Sequence, residues 1–348
     1  MDQQTAPIND NFSKLASKIK KNNLPSDLAE KLNDELTRLQ KMVAATGYKF
    51  EFDKVFEYIN FVASLPFNNS SQDILDLKRT EAMLNEHHYG LGVVKERILE
   101  YMSILILNTN KGEKLKSPIL SFVGLVGSGK TSIAYSIAES MGRKIIRIPF
   151  GGLSSVADLR GQSRVNMDAE PGLLMKSIMR EGVNNPVILL DEIDRVAVES
   201  RADLMGVLVE LLDPNQNFAF MDKYIDYPFD LSKALFIATA NNTGNIATAV
   251  LDRMEMIEMP GYSDEEKIVI GKKYLMPAII KSSGLPENTV VIDESLWPQI
   301  VRPLGFDAGI RSLQRNIETI VRKIAKEVVE GNPGPYSLTA ENIGKYIG

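Results

Sequence analysis

Apolar positions recur with one period in the first third of the chain and another further on. Leu28, Leu32, Leu36 and Leu39 stand at helical spacing after Leu24-Pro25-Ser26, with Ser26 placed to cap the helix. Phe52, Val55, Phe56, Ile59 and Val62 predict a second helix, stopping before the turn signal Leu65-Pro66-Phe67-Asn68-Asn69. Val94, Ile98, Met102 and Leu105 predict a third over 91–107. From residue 119 short apolar runs alternate with helical stretches. Strands are expected at 119–123, 145–150, 187–190, 234–240 and 255–259, with helices among them at 173–181 and 203–212. That alternation is the pattern of a parallel sheet with helices on both faces. After Pro260-Gly261 helical spacing dominates 263–282 and 310–329, the latter through Ile310, Leu313, Ile317, Ile320, Ile324 and Val328. Residues 1–11 are polar and expected to be disordered.

Composition narrows the class. A chain of 348 residues, 44% hydrophobic and 24% charged, is long enough for two or three soluble domains. A net charge of −5 provides no global basic footprint, so nucleic acid is not expected as the main partner. With no cysteine there is no disulfide framework, thiolate zinc site or cysteine nucleophile. The first residues lack an apolar signal region, and apolar runs fall far short of the roughly 20 residues that span a bilayer. A soluble, cytoplasmic protein with no membrane partner is expected, a mitochondrial matrix or peroxisomal home staying open.

Two stretches carry chemistry. Gly124-Leu125-Val126-Gly127-Ser128-Gly129-Lys130-Thr131 fits G-x-x-x-x-G-K-[ST] and follows the apolar run 119–123. The glycines let backbone N–H groups turn inward around a phosphate chain, and a helix beginning near Lys130 adds its positive end. Lys130 is expected at the β- and γ-phosphates of ATP, and the Thr131 hydroxyl on Mg²⁺. Val187-Ile188-Leu189-Leu190 ends in Asp191-Glu192. A carboxylate at a buried strand end can hold the metal carried by ATP, and the next can orient the attacking water. Asp191 is therefore assigned to the metal and Glu192 to the water. His87 and His88 are the only histidines; neighbours on a helix point apart, and no ligand set accompanies them, so no metal site is assigned there.

Further stretches resemble one family over residues 88–348, the ATPase module of Lon proteases in the AAA+ superfamily. They are His88-Tyr89-Gly90-Leu91, Val94-Lys95-Glu96-Arg97-Ile98, Gly151-Gly152, Leu159-Arg160-Gly161, Pro171-Gly172 and Leu190-Asp191-Glu192-Ile193-Asp194. Leu211-Leu212-Asp213-Pro214-Asn215-Gln216-Asn217, Thr239-Ala240-Asn241, Leu251-Asp252-Arg253-Met254-Glu255 and Gly309-Ile310-Arg311-Ser312-Leu313 complete the set. The resemblance implies an α/β fold, an AAA+ P-loop NTPase with a five-stranded parallel sheet. A small helical unit precedes it and a helical lid follows. The implied division is a helical segment at 12–87, an ATPase domain at 88–260 and a lid at 261–348.

The resemblance also implies roles. Asn241 would help Glu192 place the water. Arg253 would be an arginine finger reaching the nucleotide of a neighbouring subunit. Arg311 would contact nucleotide from the lid within its own chain, and Tyr89 and Gly90 would lie beside the adenine. Taken alone, Asn241 reads as a strand-end turn residue and Arg253 as a helix-surface arginine. The implied assembly is a homo-oligomer, a hexameric ring, acting on protein substrates and hydrolysing ATP with Mg²⁺.

Three departures from the family pattern bear on this. The loop begins Gly124-Leu125-Val126-Gly127 where the family usually has Gly-Pro-Pro-Gly. Alignment on Pro171-Gly172 puts Asn166-Met167 where an aromatic–aliphatic pair grips polypeptide. The serine–lysine dyad and the large N-terminal recognition domain of the family have no counterpart stretch, so peptidase activity is not expected from this chain alone. A protease domain or subunit in trans stays open as a partner. A nucleotide-dependent scaffold and a nucleic-acid-directed AAA+ ATPase are the alternatives that share the same motifs.

Overall fold

The structure is a computed structural model that describes residues 5–47, 51–111, 119–166, 168–302 and 309–347. Five helices open the chain: α1 Thr5–Lys21, α2 Ser26–Thr46, α3 Glu51–Val62, α4 Leu77–His87 and α5 Gly92–Asn110. Strands and helices then alternate: β1 Ile119–Gly124, α6 Lys130–Ser140, β2 Ile145–Pro149, α7 Val156–Arg160, α8 Leu173–Glu181, β3 Val187–Asp191 and α9 Val198–Leu212. The two-residue strands β4 Phe220–Met221 and β5 Pro228–Phe229 precede β6 Leu235–Ala240, α10 Thr248–Leu251 and β7 Met254–Met259. Last come α11 Asp264–Ile270, α12 Met276–Ser283, β8 Val290–Ile292, α13 Trp297–Val301, α14 Arg311–Val329, β9 Tyr336–Leu338 and α15 Ile343–Tyr346.

Each strand expected from the apolar runs is present within a residue or so. They form a five-stranded parallel sheet ordered β2-β3-β6-β1-β7, with Val187 opposite Ile145 on one side and Leu235 on the other. Every residue of β3 and β6 is buried, as expected of strands covered on both faces. The end strand β2 alternates instead: Ile146 and Ile148 point inward, Arg147 and Pro149 outward.

Two expectations need correction. The segment 1–11 is not all disordered, because α1 begins at Thr5. The buried stripe Phe12, Leu15 and Ile19 anchors that helix, and its polar first turns extend beyond the stripe. Ser26 does not cap α2; it is the first helical residue, Pro25 takes the cap position, and no side chain caps the helix. The leucines of α2 are all buried, as their spacing predicts. Short β4, β5, β8 and β9 were not foreseen, since two or three residues carry no readable period.

The chain divides into two compact units. The first is Met1–Asp76, Met102–Ser121 and Ala138–Glu255; the second is Leu77–Tyr101, Phe122–Ile137 and Met256–Gly348. Within the first, the N-terminal helices are tied down by specific bonds. The Tyr58 hydroxyl donates to Ile225 O at 3.1 Å, and the Arg164 guanidinium lies 3.6 Å from the centre of the Tyr58 ring. Arg143 pairs with Asp73 through Nε at 2.8 Å and Nη2 at 2.6 Å. Within the second, α14 puts Leu313, Ile317, Ile320 and Ile324 against Trp297 and Ile300 in a core of its own. Ser263 and Glu266 close a capping box at the start of α11. Among the described residues no helix is long and apolar enough to cross a membrane.

Candidate active site

In the second unit, β1 ends at Gly124 and α6 starts at Lys130, so the glycine-rich stretch is the turn between strand and helix. Gly127 has φ +82°, and a Cβ there would stand 3.1 Å from the backbone nitrogen of Ile310. That nitrogen donates to Gly127 O at 3.1 Å, so a side chain at 127 would strain the turn and push away the start of α14. Lys130 holds its ammonium inside the loop, donating to Gly124 O at 2.6 Å and Leu125 O at 2.9 Å. The Tyr262 hydroxyl donates to Ser128 O at 3.3 Å, and burial pushes its pKa up to about 12, so it stays a donor.

This loop opens on a cavity of about 430 Å³. Gly127, Gly129, Lys130 and Thr131 line one side; Tyr89, Arg311 and Gln314 are also in the wall. Arg311 is the first residue of α14. Gly124, Leu125, Val126 and Ser128 shape the loop without lining the cavity. Gly90 does not line it either; it turns the chain at φ +66°, where a Cβ would meet Glu266 Oε1 at 2.9 Å.

The two histidines meet at one hydroxyl. α4 ends at His87, so the pair no longer follows helical directions, and both rings reach one hydroxyl. Ser136 Oγ of α6 lies 3.1 Å from His87 Nδ1 and 2.9 Å from His88 Nε2. Burial, then the neighbouring His87 and Lys95, lowers the His88 pKa to about 4, so this ring is neutral near pH 7.

In the first unit, Asp191 closes β3 with its side chain buried. The Thr239 hydroxyl of β6 donates to Asp191 Oδ1 at 2.5 Å, and Thr239 Oγ1 in turn accepts the backbone N–H of Glu192 at 2.9 Å. Glu192 sits in the left-handed region at φ +55°, ψ +49°. For an L-residue that conformation costs about 1–2 kcal/mol, and here it is fixed by the Thr239 bond. Arg195 Nη1 lies 3.5 Å from the Glu192 carboxylate. Buried Asp194 accepts from Asn241 N at 3.1 Å and Asn242 N at 3.4 Å, which places Asn241 at the end of β6. Arg147 pairs with Asp191 Oδ2, through Nε at 2.7 Å and Nη2 at 2.6 Å.

Arg253 stands just after α10. It donates to Ala249 O at 2.7 Å and lies 3.4 Å from Asp213 Oδ2. The Asp213 carboxyl is held below the usual range by the backbone N–H of Asn215 first, then Gln216 and Arg253. The loop at 161–171 is clamped at both ends: Gln162 N donates to Glu170 O at 3.0 Å, and Gly172 N donates to buried Asp222 Oδ2 at 2.8 Å. A Cβ at 172 would lie 2.1 Å from Leu159 O, so only glycine allows that crossing. Met167 lies outside the described residues; Val165, 90% exposed, is an apolar side chain at the tip.

Sequence reasoning gave no role to Thr239 and Asp194, which stand in the family stretches, and did not single out Arg147, Ser136 or Val165. The signals were faint: a hydroxyl in the apolar run 235–240, a cation among the isoleucines of β2, and a lone valine in a polar loop.

Thr131 in the second unit and Asp191 in the first each offer oxygen, the donor that a hard cation such as Mg²⁺ prefers. Among the described residues no group of three or more His, Asp or Glu is assembled to hold a metal.

The model of the ATPase family associated with various cellular activities (AAA) matches residues 120–262, and that of the Lon protease AAA+ ATPase lid domain matches 281–336. The chain therefore belongs to the AAA+ ATPases, an α/β domain with a helical lid. Lon protease of Lawsonia intracellularis is 41% identical over 337 residues, covering 97% of this chain and 40% of that protein. Lon protease of Syntrophomonas wolfei is 43% identical over 331 residues, 95% of this chain and 40% of that protein. Lon protease 2 of Herpetosiphon aurantiacus is 39% identical over 345 residues, 99% and 42% respectively. Within the AAA+ class, the chain is the ATPase region of the Lon family, and it spans about two-fifths of the length of these relatives.

Proposed function

We propose that this chain hydrolyses Mg²⁺-ATP as part of a ring and uses the cycle to unfold or remodel protein substrates. The observation that carries it is Glu192, held in a strained turn by Thr239 beside the buried Asp191. A strained carboxylate fixed by its neighbours at a strand end suits water activation better than structure alone. Lys130 and the loop N–H groups bind the phosphates, Thr131 and Asp191 hold the metal, and Asn241 and Glu192 orient the water. Mg²⁺ held by those residues would supply charge neutralisation to the phosphoryl group. Arg311 contacts the nucleotide from the lid. Arg253 stabilises the charge on the phosphoryl group bound to the next subunit, and the loop with Val165 contacts the polypeptide. The domain division at 88–260 and 261–348 belongs to the same proposal.

Retention of Glu192, Asn241 and Arg253 supports an active ATPase over a nucleotide-dependent scaffold. The test is ATP turnover per subunit across a wide range of protein concentration. Specific activity is expected to climb with concentration in the parent, because Arg253 completes a neighbour's site. Arg253→Ala should flatten that rise and lower the plateau by about 10³-fold or more. A parent activity that is flat with concentration contradicts the ring.

A further inference from the structure

Asp191 is a buried carboxylate that has a cation on it already. Arg147 directs both Nε and Nη2 to Oδ2, at 2.7 and 2.6 Å. The other oxygen is fixed by Thr239, so the carboxylate cannot rotate away. The partners differ in exposure: the Asp191 side chain is 4% exposed and that of Arg147 52%. Strand register explains the reach. Pro149 of β2 is opposite Asp191, so Arg147, two residues earlier, lies on the same face of the sheet and extends along it. A carboxylate this buried needs a countercharge. A divalent ion and a guanidinium on one oxygen repel each other, so they exclude one another there.

We propose that Arg147 is a cation gate at the metal position: it neutralises Asp191 when no metal is present and must leave Oδ2 when Mg²⁺-nucleotide arrives. The half-exposed guanidinium can swing from the outer face of the end strand into solvent, while the Thr239 bond keeps Asp191 aimed. Arg147 is a positioning residue, acting on the metal through Asp191. Removing it should favour the metal-bound state. The inference rests on the assignment of Asp191 to the metal made above.

The test measures binding, not turnover. The affinity for the non-hydrolysable analogue AMP-PNP is measured by calorimetry in Mg²⁺ and in EDTA, for the parent, Arg147→Gln and Arg147→Lys. The ratio of the two affinities should rise about fivefold in Arg147→Gln, the size expected of one half-exposed ion pair, with EDTA affinity unchanged. Arg147→Lys keeps the charge without the fork, so its ratio should lie between, and it decides the matter if the glutamine variant does not fold. A ratio equal to or below the parent's overturns the gate and leaves Arg147 as a clamp that merely steadies β3. A parent with no Mg²⁺ effect overturns the metal role of Asp191, and the gate with it. A parent that binds no AMP-PNP overturns the nucleotide assignment itself.

Discussion

The end of β3 and the loop at 161–171 belong to the same unit and are built in opposite ways. At Asp191 and Glu192 the chain is over-determined: Thr239 serves both residues, Asp194 fixes the neighbouring strand end, and Arg147 covers the carboxylate. Along the loop the ends are held by Glu170 and Asp222 and Arg164 rests on the Tyr58 ring, while the neighbouring Val165 side chain stands in solvent. Chemistry on a phosphoryl group needs donors placed in advance, because reorganisation during the reaction raises the barrier. On the proposed function, the loop needs a fixed base and an exposed tip to meet polypeptide. The difference then separates positioning from contact within one compact unit.

Removing the base of the loop should have the largest effect. Asp222 accepts from Gly172 N at 2.8 Å, Tyr224 N at 2.8 Å and Ile225 N at 3.2 Å. Burial raises its pKa, and those three donors, with Arg160, offset part of the shift. Asp222→Ala strands buried donors and should cost about 3–5 kcal/mol in urea unfolding. A loss under about 1 kcal/mol would mean that the loop is not anchored there. Thr239→Val tests the other region with a side chain of the same shape. It removes the donor to Asp191 and the acceptor for Glu192 N–H, and should cost about 2 kcal/mol while lowering turnover at least about tenfold. Stability lost with turnover intact would show the network to be structural and would erase the contrast.

Much of the fold was legible because β3 and β6 are largely apolar runs, β2 and β7 alternate, and α2 and α14 carry clean apolar stripes. Leu28 to Leu39 and Leu313 to Ile324 are buried along their predicted faces. The site was legible where backbone chemistry demands particular residues: glycines at positive φ, lysine at a helix start, acids at a strand end. It was not legible where a role depends on a distant partner. Thr239 matters because 48 residues separate it from an acid that folding brings within 2.5 Å. Arg147 lies 44 residues from the same acid, in a strand whose period explains only its isoleucines. The meeting of both histidines at Ser136 was not legible because a helix end redirects side chains, and helix ends are the least certain feature of any periodicity.

Glu192→Gln is the most direct test of the central claim, that Glu192 orients the attacking water. The variant should bind Mg²⁺-ATP as tightly as the parent, measured by calorimetry. It should also lose all but about 1% of single-turnover hydrolysis, since the amide cannot take the water's proton. Hydrolysis at the parent rate with binding intact would contradict the account and move the role of base to another residue.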